Sequence, residues 1–169
     1  MTNSPIFILL FLLSFTLASG RPVVSPATGR LYSAVQSGNI ENARIALQNT
    51  NVNVQEAGTT ALHIAVRAKN SEMVRFLLDN GASYELRDQY NTVPLHLTAK
   101  TNDVESARLL IDAGTPVDVK GFTSNDGSSM STTLILAAEL GSLELVQFLV
   151  ERGANINYVN NFERTALFW

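Results

Sequence analysis

The chain has 169 residues, of which 46% are apolar and 16% are charged, and its formal net charge is −3. This length and composition allow one domain, or one short array of repeats, with a real apolar core. The mild acidity argues against a nucleic-acid-binding surface, which needs a basic stripe. The sequence contains no cysteine, which excludes disulfides, thiol catalysis and zinc fingers.

The first twenty residues carry no charged side chain. Within them, Ile6 to Leu17 is an almost unbroken apolar run. It is too short for the roughly 20 residues of a membrane-spanning helix, but it fits a signal-peptide core of about 7 to 15 residues. The small residues Ala18-Ser19-Gly20 suit cleavage after Gly20, so we expect a signal peptide and secretion. The usual Lys or Arg before the apolar run is missing, and an uncleaved membrane anchor or a core helix remain alternatives.

Residues 21–28 contain Pro22, Ser25 and Pro26. Prolines and serines at this density break regular structure, so the segment is expected to be an extended linker.

The stretch 58–82 predicts two short antiparallel helices joined by a tight turn. Thr60 is a good N-cap for the first helix and Asn70 for the second, because each side chain can accept a hydrogen bond from a free backbone N–H. Apolar residues recur within each helix at spacings of three and four. Gly81 ends the second helix, since glycine adopts the left-handed conformation without steric cost. Such a pair has apolar surface on more than one side, so it needs neighbours of the same kind.

The same features recur in register along the chain. The first-helix leucine repeats at spacings of 33, 39 and 33 residues, as Leu62, Leu95, Leu134 and Leu167. An N-cap type of residue precedes each second helix, namely Asn39, Asn70, Asp103 and Ser142. Two positions later stands a glutamate, at Glu41, Glu72, Glu105 and Glu144. Capping chemistry repeated at a constant phase predicts an array of repeats.

This pattern resembles the ankyrin-repeat family. Thr60-Ala61-Leu62-His63 and Val93-Pro94-Leu95-His96 match the family's Thr-Pro-Leu-His motif, with a weaker copy at Thr132-Thr133-Leu134-Ile135. Gly81-Ala82 and Gly153-Ala154-Asn155-Ile156-Asn157 match its helix ending and hairpin entry, and the period of about 33 residues is also the family's. The resemblance covers roughly residue 29 to the C-terminus. It implies an all-α fold, an ankyrin-repeat solenoid of stacked helix-turn-helix pairs with β-hairpin fingers, preceded here by the N-terminal apolar helix.

We divide residues 29–169 into four units and the start of a fifth, at about 29–57, 58–90, 91–130, 131–161 and 162–169. The first unit has a more polar second helix, as expected of a terminal capping repeat. Asp88 matches the family's acidic hairpin position, and Asn91 stands where the family usually has glycine. Asparagine tolerates the left-handed backbone that this position requires.

The third unit is followed by six extra residues, in a finger spanning 120–130 that holds Phe122 and Met130. Insertions in repeat arrays map to loops on one face, often the binding face. Drift in a tolerant loop is the alternative.

The fifth unit stops at Phe168-Trp169, which leaves the apolar flank of the fourth unit uncovered. We favour a chain that is a fragment of a longer array. Two alternatives stay open: the flank is an interface, or aromatic and apolar residues fold back over it as a lid. The residues of such a lid are Phe162, Leu167, Phe168 and Trp169.

Nothing in the sequence predicts catalysis, a cofactor, a metal or a small-molecule substrate. His63 and His96 are the only histidines, and they occupy the same position in neighbouring units, where the family's histidine hydrogen-bonds across hairpins. No third ligand accompanies them. The recurring glutamates lie where they complement the helix dipole. We therefore expect no enzyme.

The resemblance implies that a concave face, built from the fingers and the first helices, binds a protein partner. The candidate partner-binding residues on it are Arg67, Arg87, Gln89, Tyr90, Lys100, Lys120 and Phe122. An exposed tyrosine flanked by arginine would suit a binding hot spot, and an ordinary solvated surface is the alternative for each residue.

The resulting hypothesis is a secreted, non-catalytic protein–protein interaction module with a partner of unknown identity. Contact with a membrane is expected only through the N-terminal segment, if that segment is not cleaved. The first alternative is the N-terminal fragment of a larger protein, an enzyme or toxin, in which the repeats are a regulatory or targeting array. A cytoplasmic or membrane-anchored location is the second.

Overall fold

The structure is a computed structural model that describes residues 25–122 and 130–169, without the side chain of Phe122. The expected N-terminal apolar helix and signal peptide, and the finger residues 123–129, lie outside the described residues. Within residues 25–122 and 130–169, none of the helices has the length and apolar character needed to cross a membrane.

The described chain contains eight α-helices, which form four successive pairs. The first helices are α1 (Pro26–Gln36), α3 (Ala61–Arg67), α5 (Pro94–Thr101) and α7 (Thr133–Glu139). The second helices are α2 (Ile40–Leu47), α4 (Ser71–Asp79), α6 (Val104–Asp112) and α8 (Leu143–Glu151). A short 3-10 helix, Ala166–Phe168, follows. Each first helix contacts the first helix of the next pair, and α4, α6 and α8 contact one another in order. The predicted stack of helix pairs is therefore confirmed.

Equivalent leucines line the core of this stack. The exposed fraction is 0% for Leu62 and Leu95 and 1% for Leu134, and Leu31 fills the same place in α1 at 0%. Burying each such side chain stabilises the fold by about 1.5–3 kcal/mol. The fourth predicted member, Leu167, is 79% exposed, so the core ends with the fourth unit in this structure.

Three of the four second helices have the predicted side-chain cap. Asn39, Asn70 and Asp103 each accept a hydrogen bond from the backbone N–H three residues later. The expected cap at Ser142 is wrong, because its hydroxyl donates instead to the Ala99 carbonyl in α5 at 3.2 Å. Ser142 is buried against the preceding unit, so its hydroxyl serves a carbonyl there rather than its own helix.

The prediction of a linker at 21–28 is wrong for residues 26–28, because α1 begins at Pro26. The Ser25 hydroxyl accepts a hydrogen bond from the Ala27 N–H at 3.4 Å. Proline suits the first helical position, since it has no N–H to leave unpaired there. Thr28 is buried, and its hydroxyl lies 3.4 Å from that of Thr50. The Ser-Pro pair therefore starts a helix that packs into the array.

Three loops join one pair to the next, at 48–60, 80–93 and 113–132, and are called the fingers below. Only the third contains paired strands in the described residues: β1 (Lys120–Phe122) runs antiparallel to β2 (Met130–Thr132). The first holds an isolated bridge between Glu56 and Thr59. In the second, the Asn91 N–H closes a turn onto the Asp88 carbonyl at 2.9 Å, with Asn91 at φ 58° as predicted. The β-hairpin form is thus confirmed for the third finger only.

The C-terminal residues do not form the lid that was one of the alternatives. The 3-10 helix contacts α7, but the four side chains in question stay at least half exposed: Phe162 50%, Leu167 79%, Phe168 60% and Trp169 51%. The Arg164 guanidinium carbon lies 4.7 Å from the ring centre of Phe168 and 5.1 Å from that of Trp169. The two rings therefore pack on a cation instead of covering the fourth unit.

Candidate functional site

His63 and His96 join each unit to the finger that follows it. Nε2 of His63 lies 3.2 Å from the Thr92 carbonyl oxygen, and Nε2 of His96 lies 3.3 Å from that of Ser131. Both imidazoles are fully buried. The predicted hydrogen bonding across fingers is confirmed, and neither ring is open to a substrate.

Burial also fixes the protonation of the two rings. It lowers the pKa of His96 from 6.5 to about 4, with the positive charge of Arg87 adding to the effect. Burial lowers the pKa of His63 as well, although the hydrogen bond from Nε2 to the Thr92 carbonyl acts to raise it. At pH 7 both rings are neutral, so Nε2–H can donate while Nδ1 accepts.

The third unit lacks the hydroxyl that, in the second unit, caps the first helix and pairs with Nδ1 of the histidine. In the second unit the Thr60 hydroxyl caps α3 and lies 2.8 Å from Nδ1 of His63. Val93 stands at the equivalent position before α5, and Nδ1 of His96 is buried without a hydrogen-bond partner. The third unit therefore carries an uncapped helix and an unsatisfied nitrogen.

We expect the substitution Val93→Thr to raise the free energy of unfolding by about 1 kcal/mol, because it supplies both the helix cap and a donor to His96. Urea denaturation measures the change. Val93→Ala is the control, since it removes apolar volume and adds no hydroxyl, and it should lower stability. A threonine variant as unstable as the alanine variant would contradict the expectation.

Gly121 lets the third finger close against the buried histidine. A Cβ at this position would lie 2.8 Å from Cε1 and 2.9 Å from Nε2 of His96, and 3.2 Å from the Asn91 carbonyl oxygen. We expect Gly121→Ala to lower the free energy of unfolding by about 1–3 kcal/mol through this overpacking. Gly29→Ala is the matched control, because nothing lies within 4 Å of its added Cβ. Equal urea midpoints for the two variants would count against the packing described.

Arg67 and Asp88 shape the second finger. Nη2 of Arg67 lies 3.2 Å from Oδ2 of Asp88, and Oδ1 accepts the backbone N–H groups of Tyr90 and Thr92 at 2.9 and 3.1 Å. Burial raises the pKa of Asp88, but the hydrogen bonds from Thr92 and Tyr90 outweigh it and lower the pKa overall. The carboxylate thus stays charged and holds the fingertip in one conformation.

Arg87 and Lys120 tie neighbouring fingers together. Nη1 of Arg87 donates to the carbonyl oxygens of Asn91 and Lys120, each at 2.8 Å. The Arg87 carbonyl in turn accepts from Nε2 of Gln55 in the first finger at 2.8 Å. Nζ of Lys120 lies 5.0 Å from the ring centre of Tyr158. These two predicted binding residues are exposed, but they also carry contacts within the fold.

Gln89, Tyr90 and Lys100 are exposed, and the described chain gives their side chains no hydrogen bond or ion pair. Tyr90 is 41% exposed at the fingertip. Lys100 occupies the position in α5 that Arg67 occupies in α3. The side chain of Phe122 lies outside the description, so its role stays a prediction.

Lys69 is a further cation that the repeat pattern of the sequence does not single out. It lies exposed in the turn after α3, at φ 53°. Because it belongs to the turn and to neither helix, no helical periodicity marks it. The exposed set is called the finger face below, and its residues are Arg67, Lys69, Arg87, Gln89, Tyr90, Lys100 and Lys120.

Within residues 25–122 and 130–169, no three His, Cys, Asp or Glu side chains are grouped so that they could hold a metal ion. The two histidines are buried in structural hydrogen bonds.

Comparison with known proteins agrees with this architecture. A family model for ankyrin repeats (3 copies) matches residues 30–88 and 84–160. The chain is 33% identical over 113 residues to neurogenic locus notch homolog protein 1 of Xenopus laevis, covering 66% of this chain and 4% of that protein. It is 42% identical over 41 residues to the probable 26S proteasome regulatory subunit p28 of Saccharomyces cerevisiae, covering 24% of this chain and 18% of that protein. The chain thus spans a small part of the length of either relative.

Proposed function

Because the chain belongs to the ankyrin-repeat family, whose repeats are protein–protein interaction modules, we propose that it is a non-catalytic module whose finger face binds a protein partner. The observation that carries the proposal is the second fingertip. Its Gln89 and Tyr90 side chains make no hydrogen bond or ion pair within the described residues. Below them, Arg67 pairs with Asp88, and Asp88 accepts a hydrogen bond from the Tyr90 N–H, which fixes the backbone of the fingertip. A preorganised loop loses little conformational entropy on binding, which favours affinity.

The test compares two double variants as bait. Gln89→Ala with Tyr90→Ala removes the fingertip side chains, and Arg44→Ala with Arg75→Ala is the control on the second helices. Arg87 is left intact because it links the fingers. We expect the fingertip variant to lose most of the proteins captured by the native chain from culture medium or extract, while its circular dichroism stays native. Capture of every protein by the fingertip variant would exclude this face as the site.

We also propose that the module is secreted after removal of residues 1–20. The support is the uncharged, apolar character of that segment and the small residues before Arg21. N-terminal sequencing of the protein from its native source decides the matter. A mature chain that starts near Arg21 supports secretion with cleavage, and one that starts at Met1 contradicts it.

The second candidate is a regulatory or targeting array within a larger enzyme or toxin. It is favoured by the exposed apolar side chains on the outer flank of the fourth unit, which include Leu143 at 67% and Val150 at 44%. Determining the 3′ end of the transcript tests it. Coding sequence for a further, non-repeat domain after Trp169 would support the larger protein, and a stop codon there would favour the small module.

A further inference from the structure

A side-chain link connects neighbouring loops at two junctions of the array. Oδ1 of Asn53 in the first finger accepts the Ser83 N–H at 2.7 Å, and its Nδ2 donates to the Gly81 carbonyl at 3.0 Å. In the third finger, Oδ1 of Asp118 accepts the Asn155 N–H at 3.0 Å. Ser83 and Asn155 each stand two residues after the glycine that follows a second helix. The link is therefore a recurring feature of the array.

The junction between the second and third fingers lacks this link. The residue two positions after Gly114 is Pro116, and proline has no N–H to donate. Glu85 stands four residues after its helix-ending glycine, as Asp118 does, so it is the acceptor that loses its donor. The Glu85 side chain is exposed and makes no hydrogen bond or ion pair within the described part of the chain. A negative charge is thus left unpaired at this junction.

A cleft of about 280 Å³ lies where the link is missing, and Glu85 is one of the residues that line it. Both fingers contribute apolar surface to its walls, through Val93, Pro116, Val119 and the ring of Tyr84. The volume is slightly below the roughly 300–1,000 Å³ of pockets for drug-sized ligands. The cleft therefore suits a single side chain of a partner.

Three polar side chains in the cleft make no hydrogen bond or ion pair within the described residues, namely Tyr84, Glu85 and Thr115. Thr115 is only 4% exposed, and its hydroxyl is buried without a partner. A buried hydroxyl left unsatisfied costs free energy, and a donor that enters the cleft can remove that cost. All three groups can accept a hydrogen bond, so the cleft is suited to a ligand that donates several.

The charge of the fingers favours a cationic ligand. Within the described residues the three fingers hold four acidic and two basic side chains, namely Glu56, Glu85, Asp88, Asp118, Arg87 and Lys120. Arg87 also lines the cleft, but its Nη1 already donates to the Asn91 and Lys120 carbonyls. Glu85 is the charged group there that is left without a partner.

We infer that this cleft receives the side chain of a lysine from a protein partner. The ammonium would donate to the Glu85 carboxylate and the Thr115 hydroxyl, and the aliphatic stem would pack on the apolar walls. An acidic side chain would instead meet the like charge of Glu85. The inference rests on the proposed function, because the lysine belongs to the protein that the module binds, and it adds a contact apart from the fingertip.

The probes are two small amides that differ only in the charged group. One is Nα-acetyl-lysine methylamide, and the other is its norleucine equivalent, which has the same aliphatic chain without the ammonium. Amide chemical shifts of 15N-labelled protein are followed as each probe is added. The protein variants are Glu85→Gln and Thr115→Val. Their matched controls are Glu72→Gln, at an exposed glutamate in α4, and Thr133→Val, which removes another buried hydroxyl without a partner among the described residues.

We expect the lysine probe to shift the amides of Tyr84, Glu85 and Thr115. It should bind about tenfold more tightly than the norleucine probe, because only the ammonium forms charge-assisted hydrogen bonds, and added salt should weaken it. Glu85→Gln should weaken its binding about fivefold, as expected for the loss of an exposed ion pair, and Thr115→Val about threefold. Both controls should stay within about twofold of native.

Three results would overturn the inference: equal binding of the two probes, equal effects of Glu85→Gln and Glu72→Gln, or shifts from the lysine probe only at amides outside the cleft. Failure here is distinct from failure of the proposed function. If the Gln89/Tyr90 variant loses captured proteins while the lysine probe does not bind in the cleft, the finger face is correct and the lysine contact is wrong. If the probe binds as expected while that variant still captures every protein, the fingertip is wrong as the site for natural partners.

Discussion

Replacing Phe148 by alanine is expected to lower the free energy of unfolding by about 3–5 kcal/mol. Phe148 lies in α8 and is only 5% exposed. The guanidinium carbons of Arg108 and Arg152 each lie 4.8 Å from its ring centre, and Nη1 of Arg152 lies 2.6 Å from Oδ1 of Asp112. The ring thus joins the third and fourth units, and its loss leaves a cavity at their boundary.

A second variant separates the two contributions of this ring. Phe148→Leu keeps most of the apolar volume and loses the contact with the arginines, so it should cost about 1 kcal/mol. Urea denaturation followed by circular dichroism gives both values. Because each unit is stabilised by its neighbours, the alanine variant should also speed amide hydrogen exchange in α6. A change below about 0.5 kcal/mol for alanine, the range of ordinary surface substitutions, would contradict this packing.

The free energy of unfolding is expected to fall by about 2 kcal/mol between pH 7.5 and pH 5, because of His96. Burial lowers the pKa of this histidine from 6.5 to about 4 in the folded chain. Below about pH 6.5 the unfolded chain therefore binds a proton that the folded chain does not bind until the pH approaches 4. The stabilising contribution of the neutral, buried His96 is fully present above about pH 6.5 and is lost progressively as the pH falls toward 4.

The control is His96→Gln, whose amide can still donate to the Ser131 carbonyl but does not titrate. Its stability should vary less with pH over the same interval, and the remaining slope belongs to His63, whose pKa is also lowered. The pKa of Asp88 is lowered from 3.8, so its contribution is lost only in more acidic solution. Native and variant chains with the same slope between pH 7.5 and pH 5 would remove His96 as the cause.

The helix pairs could be predicted because their signals are short-range. The side chain of an N-cap such as Asn70 accepts a hydrogen bond from the backbone N–H only three residues later. The recurring leucines mark one face of each first helix. Ser25-Pro26 carried the same kind of signal, a cap followed by proline at the first helical position, but its proline was taken as a mark of a linker. The error was therefore to interpret a local signal for the start of a helix as a signal for a linker.

The finger contacts could not be predicted, because they join residues far apart in sequence. Arg87 donates to the carbonyl of Lys120, 33 residues away, and Ser142 donates to that of Ala99, 43 residues away. No local pattern favours either bond over solvent exposure. The candidate site changed accordingly: Arg87 and Lys120 proved to hold fingers together, Gln89 and Tyr90 stayed free of such contacts, and Lys69 joined the exposed set.

Site-specific crosslinking tests the binding face most directly. A photoreactive benzoylphenylalanine replaces Tyr90 on the finger face or, in a second preparation, Arg75 on the second helices, and each protein is irradiated in the medium or extract that supplies the captured proteins. If the finger face binds the partner, crosslinks to captured protein form from position 90, and few or none form from position 75. Crosslinks from position 75 alone, or equally from both positions, would show that the finger face is not the binding site.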